Sequence, residues 1–254
     1  MKMHRATILI LALLPGMPVA WAAEAVVSVQ SGRVAIHYDA AFGRRIEWSG
    51  QATRSILAVD PAFDDGPVIG GRPARGFRLE PARSSQQRTE HPEFGPALEA
   101  TVTGLLRGPG RLMLERTTRV ILPDRFPDIA IFQTTYTNAG HRTLHLDKVY
   151  SQRLLLDRRL AEPNQPSYAL ASFQGGAYSW GKDYALIRLT PDFRQSNFQG
   201  VDDIHGAEGV GGGMPFVDVW GPTMGVAVCH IEKTPQWLAL PVEVRPDGRV
   251  EAAV

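Results

Sequence analysis

At 254 residues the chain is long enough for one large all-β domain or two small ones. Its 44% apolar and 21% charged content is that of an ordinary globular protein. The formal net charge is +1, and removal of a leader carrying Lys2 and Arg5 leaves 25 basic against 26 acidic residues. So even a balance gives no electrostatic footprint for nucleic acid or for an anionic membrane, and both are set aside as partners.

Residues 1–23 have the pattern of a secretory signal peptide. Lys2, His4 and Arg5 make a basic start, and Ala6 to Leu14 is an apolar run too short to span a bilayer. Pro15, Gly16 and Pro18 break that run. Ala20-Trp21-Ala22 then supplies the small-x-small cleavage pattern, which places the cut after Ala22 or Ala23. No second long apolar run follows, so the mature chain, 24–254, is expected in the periplasm or outside the cell, without a membrane segment. Cys229, the single cysteine, allows no intrachain disulfide; its neighbours Val226, Ala227, Val228 and Ile231 mark it as a buried, inert thiol.

From Glu24 onward one extended run follows another. Val26 to Gln30 and Arg33 to Tyr38 flank Ser31-Gly32, a short hairpin signal. Arg45 to Ser49 and Arg54 to Val59 are weaker strands. Asp60 to Arg75 is rich in Pro and Gly and is expected as loop. Gly76 to Glu80 is a short strand, and Pro81 to Pro96 is polar and exposed. Ala97 to Leu106 and Arg111 to Leu122 are two long strands around Gly108-Pro109-Gly110. Asp128 to Thr137 and Thr143 to Val149 flank Asn138-Ala139-Gly140-His141, which predicts a second hairpin. Val149 to Leu160 is expected as a strand that ends in a loop at Pro163. Turn signals every 8–15 residues without intervening helical patterns predict an all-β fold: a large antiparallel β-sandwich.

Asp202 to Pro241 holds most of the chemistry. A glycine-rich loop, Gly206 to Gly213, leads into a strand, Met214 to Trp220; Gly221-Pro222 turns into a second, Met224 to Ile231, and a third begins at Trp237. Gly176 to Lys182 has the spacing of a phosphate loop, but Asp183 stands where a Ser or Thr must bind magnesium, and a strand follows instead of a helix. The run Gly209 to Met214 fails the dinucleotide fingerprint, and no motif asks for a cofactor. Asp202, Asp203, His205 and Glu208 could be solvated loop groups, sugar ligands or oxygen donors to calcium, although the alternating acidic pattern of a calcium loop is missing. A hexose needs carboxylates that accept hydrogen bonds from its hydroxyls and an aromatic ring under its C–H face. Trp180, Asp183, Asp202, Asp203 and Trp220 offer both. Trp180 and Trp220 could equally be core rings, the reading that fits Trp48 and Trp237 better.

The runs G-G-G-M-P-F-V-D-V-W-G-P-T-M-G-V-A-V, H-I-E-K-T-P-Q-W and L-P-V-E-V-R-P-D-G-R-V, with S-F-Q-G-G-A-Y-S-W-G-K-D-Y-A-L-I-R-L upstream, resemble the N-terminal region of bacterial α-galactosidase-like, melibiase-type glycoside hydrolases. The likeness is specific from about Tyr168 to the end and diffuse before it. It implies a β-supersandwich that packs on a (β/α)8 barrel and lends loop residues to the rim of the sugar pocket, for which the candidates are Trp180, Asp202, Asp203 and Trp220. Family members hydrolyse terminal α-galactosides with retention, using a carboxyl pair about 5–5.5 Å apart. That pair lies on barrel strands beyond the region matched, so no catalytic residue is assigned here. The expected partners are an α-galactoside or related oligosaccharide and a C-terminal catalytic barrel. A stand-alone carbohydrate-binding module is the alternative. A sandwich enzyme of the sugar-epimerase type would draw on His205, Glu208, His230 and Glu232.

Overall fold

The structure is a computed structural model that describes residues 5–13, 25–49, 53–59, 66–156, 171–174, 185–199, 210–211, 216–221, 224–231 and 238–254. The first strands are β1 (Arg5–Leu13), β2 (Val27–Ser31), β3 (Val34–Tyr38), β4 (Arg44–Ser49), β5 (Thr53–Val59), β6 (Val68–Ile69) and β7 (Arg72–Pro73). Next come β8 (Arg78–Leu79), β9 (Ser85–His91), β10 (Gly95–Arg107), β11 (Met113–Pro123), β12 (Ile129–Asn138), β13 (Arg153–Leu156) and β14 (Ala171–Gln174). The last are β15 (Ala185–Arg188), β16 (Arg194–Gln199), β17 (Val210–Gly211), β18 (Phe216–Trp220), β19 (Met224–Ile231), β20 (Leu238–Val244) and β21 (Val250–Ala253). The only helical pieces among the described residues are two 3-10 turns, Pro81–Arg83 and Pro109–Arg111.

Two sheets carry almost all of the strands. One is ten-stranded, ordered β15-β14-β18-β19-β1-β12-β11-β10-β8, with β9 also paired to β10. The other is nine-stranded, ordered β17-β16-β20-β21-β13-β5-β4-β3-β2. Every described pairing is antiparallel except β16 with β17. One apolar core draws on both sheets: Val34, Ile36 and Ile46 from the second meet Val102, Leu114 and Phe132 from the first, all at most 5% exposed. The chain is therefore an all-β antiparallel sandwich, as its turn spacing predicts.

Period-two alternation sets which face each strand buries. In β11 the inward positions Leu114, Arg116, Thr118, Val120 and Leu122 are buried, while Met113, Glu115, Thr117 and Arg119 are half-buried on the other face. Removing a side chain such as Phe132, 1% exposed, from water stabilises by about 1.5–3 kcal/mol. The β2–β3 hairpin forms with Gly32-Arg33 as its loop, one residue beyond the predicted centre. Gly32 takes φ +59, the positive value that a II′ turn requires at its first loop position.

Several expectations are corrected by the topology. Thr143 to Val149 is not a strand; only Lys148 bridges, to Val68. One edge of β12 is paired with β11, and β1 takes residues 129–134 of the other, which leaves too little of that edge for a hairpin partner of this length. Asn138 instead closes the turn on itself: its Nδ2 donates to Arg142 O at 2.7 Å and its Oδ1 accepts from Gly140 N at 3.0 Å. Within the stretch expected as loop, β6 and β7 form a small separate hairpin around Gly70-Gly71, whose φ values of +56 and +73 suit a two-residue turn. Ser85–His91, expected only as exposed polar chain, is a strand on the edge of β10, and its charged and amide side chains guard that edge. The strand expected from Val149 onward forms as β13, and β16 is an additional strand. Arg5–Leu13, the apolar run of the expected leader, lies as β1 between β12 and β19.

Candidate functional site

The β18–β19 pair is the described part of the region in which the sequence concentrates its chemistry. In F-V-D-V-W the two valines are buried, Val217 at 0% and Val219 at 3% exposed, and turn into the core. The alternate positions Phe216, Asp218 and Trp220 are half-buried and share the opposite face. In β19 Val226, Val228 and His230 are buried, and Gly225, Ala227 and Cys229 are half-buried. The register sets Phe216 across from Cys229, Asp218 across from Ala227 and Trp220 across from Gly225. Directly paired residues share a face, so the side of the pair turned from the core carries an indole, a phenyl ring, a carboxylate and a thiol.

Trp220 ends β18, and its register partners on the two flanks are Gly225 and Ala171. Neither flanking strand therefore places a large residue across from the indole. A Cβ at position 225 would lie 3.0 Å from Trp220 Cβ, tighter than ordinary contact, so glycine suits this position on steric grounds. Asp218, two residues earlier on the same face, places a carboxylate about 6.5–7 Å along the strand from the Trp220 backbone. A ring and an acceptor at that separation match the C–H face and the hydroxyl edge of a hexose. Burial pushes the Cys229 thiol up from its ordinary value, and the negative charge of Asp218 adds to the effect. The thiol is therefore protonated at neutral pH and a poor nucleophile, in line with the inert role expected from its apolar neighbours.

Of the four residues singled out as sugar contacts, only Trp220 is described. Trp180, Asp202 and Asp203 lie outside the described residues, as do Asp183, His205, Glu208, Glu232 and the phosphate-loop-like run 176–182. Asp218, which the sequence sets beside Trp220 at the same meander, was not among the four residues taken as sugar contacts. Its signal was the alternation V-D-V-W, which puts it on the same face as Trp220.

Several other described polar groups hold the fold together. Trp48 is 4% exposed and its Nε1–H donates to Asp128 Oδ1 at 2.8 Å, the satisfied core ring that its context suggested. Asp128 also pairs with Arg33, whose guanidinium lies 5.5 Å from the centre of the Trp48 ring. Glu251 accepts from Arg153 Nε at 2.5 Å and from Arg245 Nη1 at 3.2 Å, so two guanidiniums occupy its carboxylate. His230, 5% exposed, alternates with Val228 and Val226 on the core side of β19; that removes it from any acid–base role at the surface. Among the described residues no group of three His, Cys, Asp or Glu is placed to hold a metal ion. Nor is any described helix long and apolar enough to cross a membrane. Comparison with family models, with curated proteins and with solved structures yields no match to this chain.

Proposed function

We propose that the chain is a carbohydrate-associated β-sandwich acting in the periplasm or outside the cell. More particularly, we read it as the N-terminal β-supersandwich of an α-galactosidase-like glycoside hydrolase. It would pack on a (β/α)8 barrel that supplies the reactive carboxyl pair, and Trp220, with Trp180, Asp202 and Asp203, would contribute to the pocket rim. One observation carries most of this reading: Phe216, Asp218 and Trp220 share the face of β18 turned away from the core. The outward side of a sandwich strand is ordinarily polar, so two aromatic rings bracketing a carboxylate there favour a ligand or a partner surface. The sequence resemblance over Tyr168 to Val254 adds the family.

The test is titration calorimetry of the purified chain with galactose, melibiose and raffinose, beside a nitrophenyl α-galactoside assay. On this reading the chain alone does not turn over the glycoside, and a Trp220→Ala variant keeps the parent circular dichroism but weakens sugar affinity where binding is measured. Turnover by the isolated chain would overturn the reading. Tight sugar binding without turnover, abolished by Trp220→Ala, would favour the stand-alone module, which places the same face against oligosaccharide without a barrel.

A further inference from the structure

The ten-stranded sheet contains one strand that comes from far away in sequence. β1 runs antiparallel to β12 on one side, Arg5 to Ile10 against Thr134 to Ile129. On its other side it runs antiparallel to β19, Ala6 to Leu13 against Ile231 to Met224. β12 and β19 do not pair with each other; a gap one strand wide separates them, and Arg5–Leu13 fills it. The rims of the gap are built like the middle of a sheet, not like its edges. Ala130, Phe132 and Thr134 on one rim, and Val226, Val228 and His230 on the other, are all buried. The opposite face of the first rim is apolar too: Ile131, 2% exposed, clusters with Ala97 and Ile121. Neither rim carries the lysines, prolines or bulges with which proteins blunt a free edge. The occupant, R-A-T-I-L-I-L-A-L, has no Gly or Pro, is β-branched at Thr7, Ile8 and Ile10, and is the same run that has the character of a cleavable leader.

We propose that the gap between β12 and β19 is a strand-acceptor site. Arg5–Leu13 is its resident, exchangeable occupant, and a chain cut after Ala22 or Ala23 binds an extended apolar peptide of about nine residues there, antiparallel to both rims. Two ladders of backbone hydrogen bonds supply the affinity, and the register supplies the selectivity. Leu9 is aligned with buried Ala130 and Val228, so that position selects an apolar residue; Thr7, aligned with Phe132 and His230, tolerates a hydroxyl. The cut converts a tethered strand into a separate ligand, and loss of the tether is what makes it exchangeable.

The test places a specific protease site between Ala20 and Glu24 of the full chain and cuts it after folding. Native mass spectrometry is expected to find the N-terminal peptide still bound. Excess labelled R-A-T-I-L-I-L-A-L should displace it, whereas the same peptide carrying Ile8→Pro and Ile10→Pro, which lacks two ladder donors, should not. A cut chain that releases the peptide while keeping its melting temperature and its amide protection across 129–134 and 224–231 would overturn the proposal, because β12 and β19 would then have closed on each other. A chain produced from Glu24 onward gives a second measurement. It should melt several degrees lower than the full chain and recover on addition of the peptide; should it not fold alone, the peptide should rescue its refolding. Unchanged melting without peptide binding, or no rescue, counts against the site.

Discussion

Replacing Gly104 by Ala tests how tightly the core is built around one ring. Gly104 lies in β10, and a Cβ there would stand 2.6 Å from Phe42 Cδ2, 2.7 Å from its Cε2 and 3.1 Å from its Cγ. Phe42 cannot easily retreat. Its ring centre is 5.4 Å from that of Tyr38 and 6.3 Å from that of Phe77, and the Arg116 guanidinium lies 4.9 Å away on its face. Its backbone is pinned as well, at φ +63, by a turn in which Asp39 Oδ1 accepts from Ala41 N at 2.8 Å and from Gly43 N at 2.7 Å. Forcing a methyl group into a packed core costs about 1–3 kcal/mol. Against this, Gly→Ala gains about 0.4–1 kcal/mol by restricting the unfolded chain. Overpacking wins, with a net loss of about 1–2 kcal/mol, or about 2–8 °C in melting temperature for a domain of this size. Urea unfolding followed by tryptophan fluorescence measures it, and the informative background is Phe42→Leu. There the cost of Gly104→Ala should shrink by at least about 0.5 kcal/mol, since the two positions touch. A Gly104→Ala protein as stable as the parent, or an equal cost in both backgrounds, would refute the reasoning.

Trp48→Phe keeps a buried ring but removes the donor to Asp128, and should cost about 1–2 kcal/mol in urea unfolding, because Asp128 retains Arg33. The hydrogen bond from Arg88, then that from Ser31, holds the Asp124 carboxyl below its ordinary range. A depressed folded-state value means that its contribution to stability is present above the unfolded carboxylate value and is lost as pH falls through the folded one. Arg88→Ala should therefore move the Asp124 titration upward, as read by carboxyl carbon shifts in NMR. Cys229 should react with a disulfide reagent more slowly than a free thiol at pH 8, and Asp218→Asn should speed that reaction by lowering the thiol's value; an unchanged rate would show that Asp218 does not act on it.

Legibility in the sequence followed the range over which each cue acts. The β18–β19 meander was readable because V-D-V-W and G-V-A-V-C-H-I alternate sharply and Gly221-Pro222 punctuates them. The long pair β10–β11 was readable for the same reason around Gly108-Pro109-Gly110. Thr143 to Val149 has equally good strand composition, yet pairing is a competition, and β1 occupies most of the edge of β12 that a hairpin would use. β16, R-Q-S-N-F-Q, carries too little apolar pattern to announce itself and is a strand because β20 pairs with it. Trp220 could be placed at a strand end from sequence. Its outward direction follows from the alternation with Val217 and Val219, and which of the two faces is buried is decided only when the sheets pack.

Two arginines inside the sandwich explain why the sheets keep one relative position. Arg44, in β4 of the nine-stranded sheet, is 4% exposed and holds its guanidinium 4.9 Å from the centre of the Phe132 ring in the ten-stranded sheet. Arg116, in β11 of the ten-stranded sheet, is 2% exposed and reaches back over Phe42, which leads into β4. Arg44 Nη1 also donates to Gln152 Oε1 at 2.5 Å, next to β13. Apolar contacts between sheets discriminate less sharply against a slide, because one Val or Leu can replace another along the ladder. A buried guanidinium is more exacting: displaced by one residue pair it loses the ring it faces across the sheets while remaining out of water, which costs several kcal/mol. Each sheet thus sends one cation onto an aromatic of the other, and the two contacts are crossed, so a slide in either direction strains both. Val217 and Val219 of β18 belong to the same apolar core. The alternation that buries those two valines turns Trp220 and Asp218 to the opposite face of the strand.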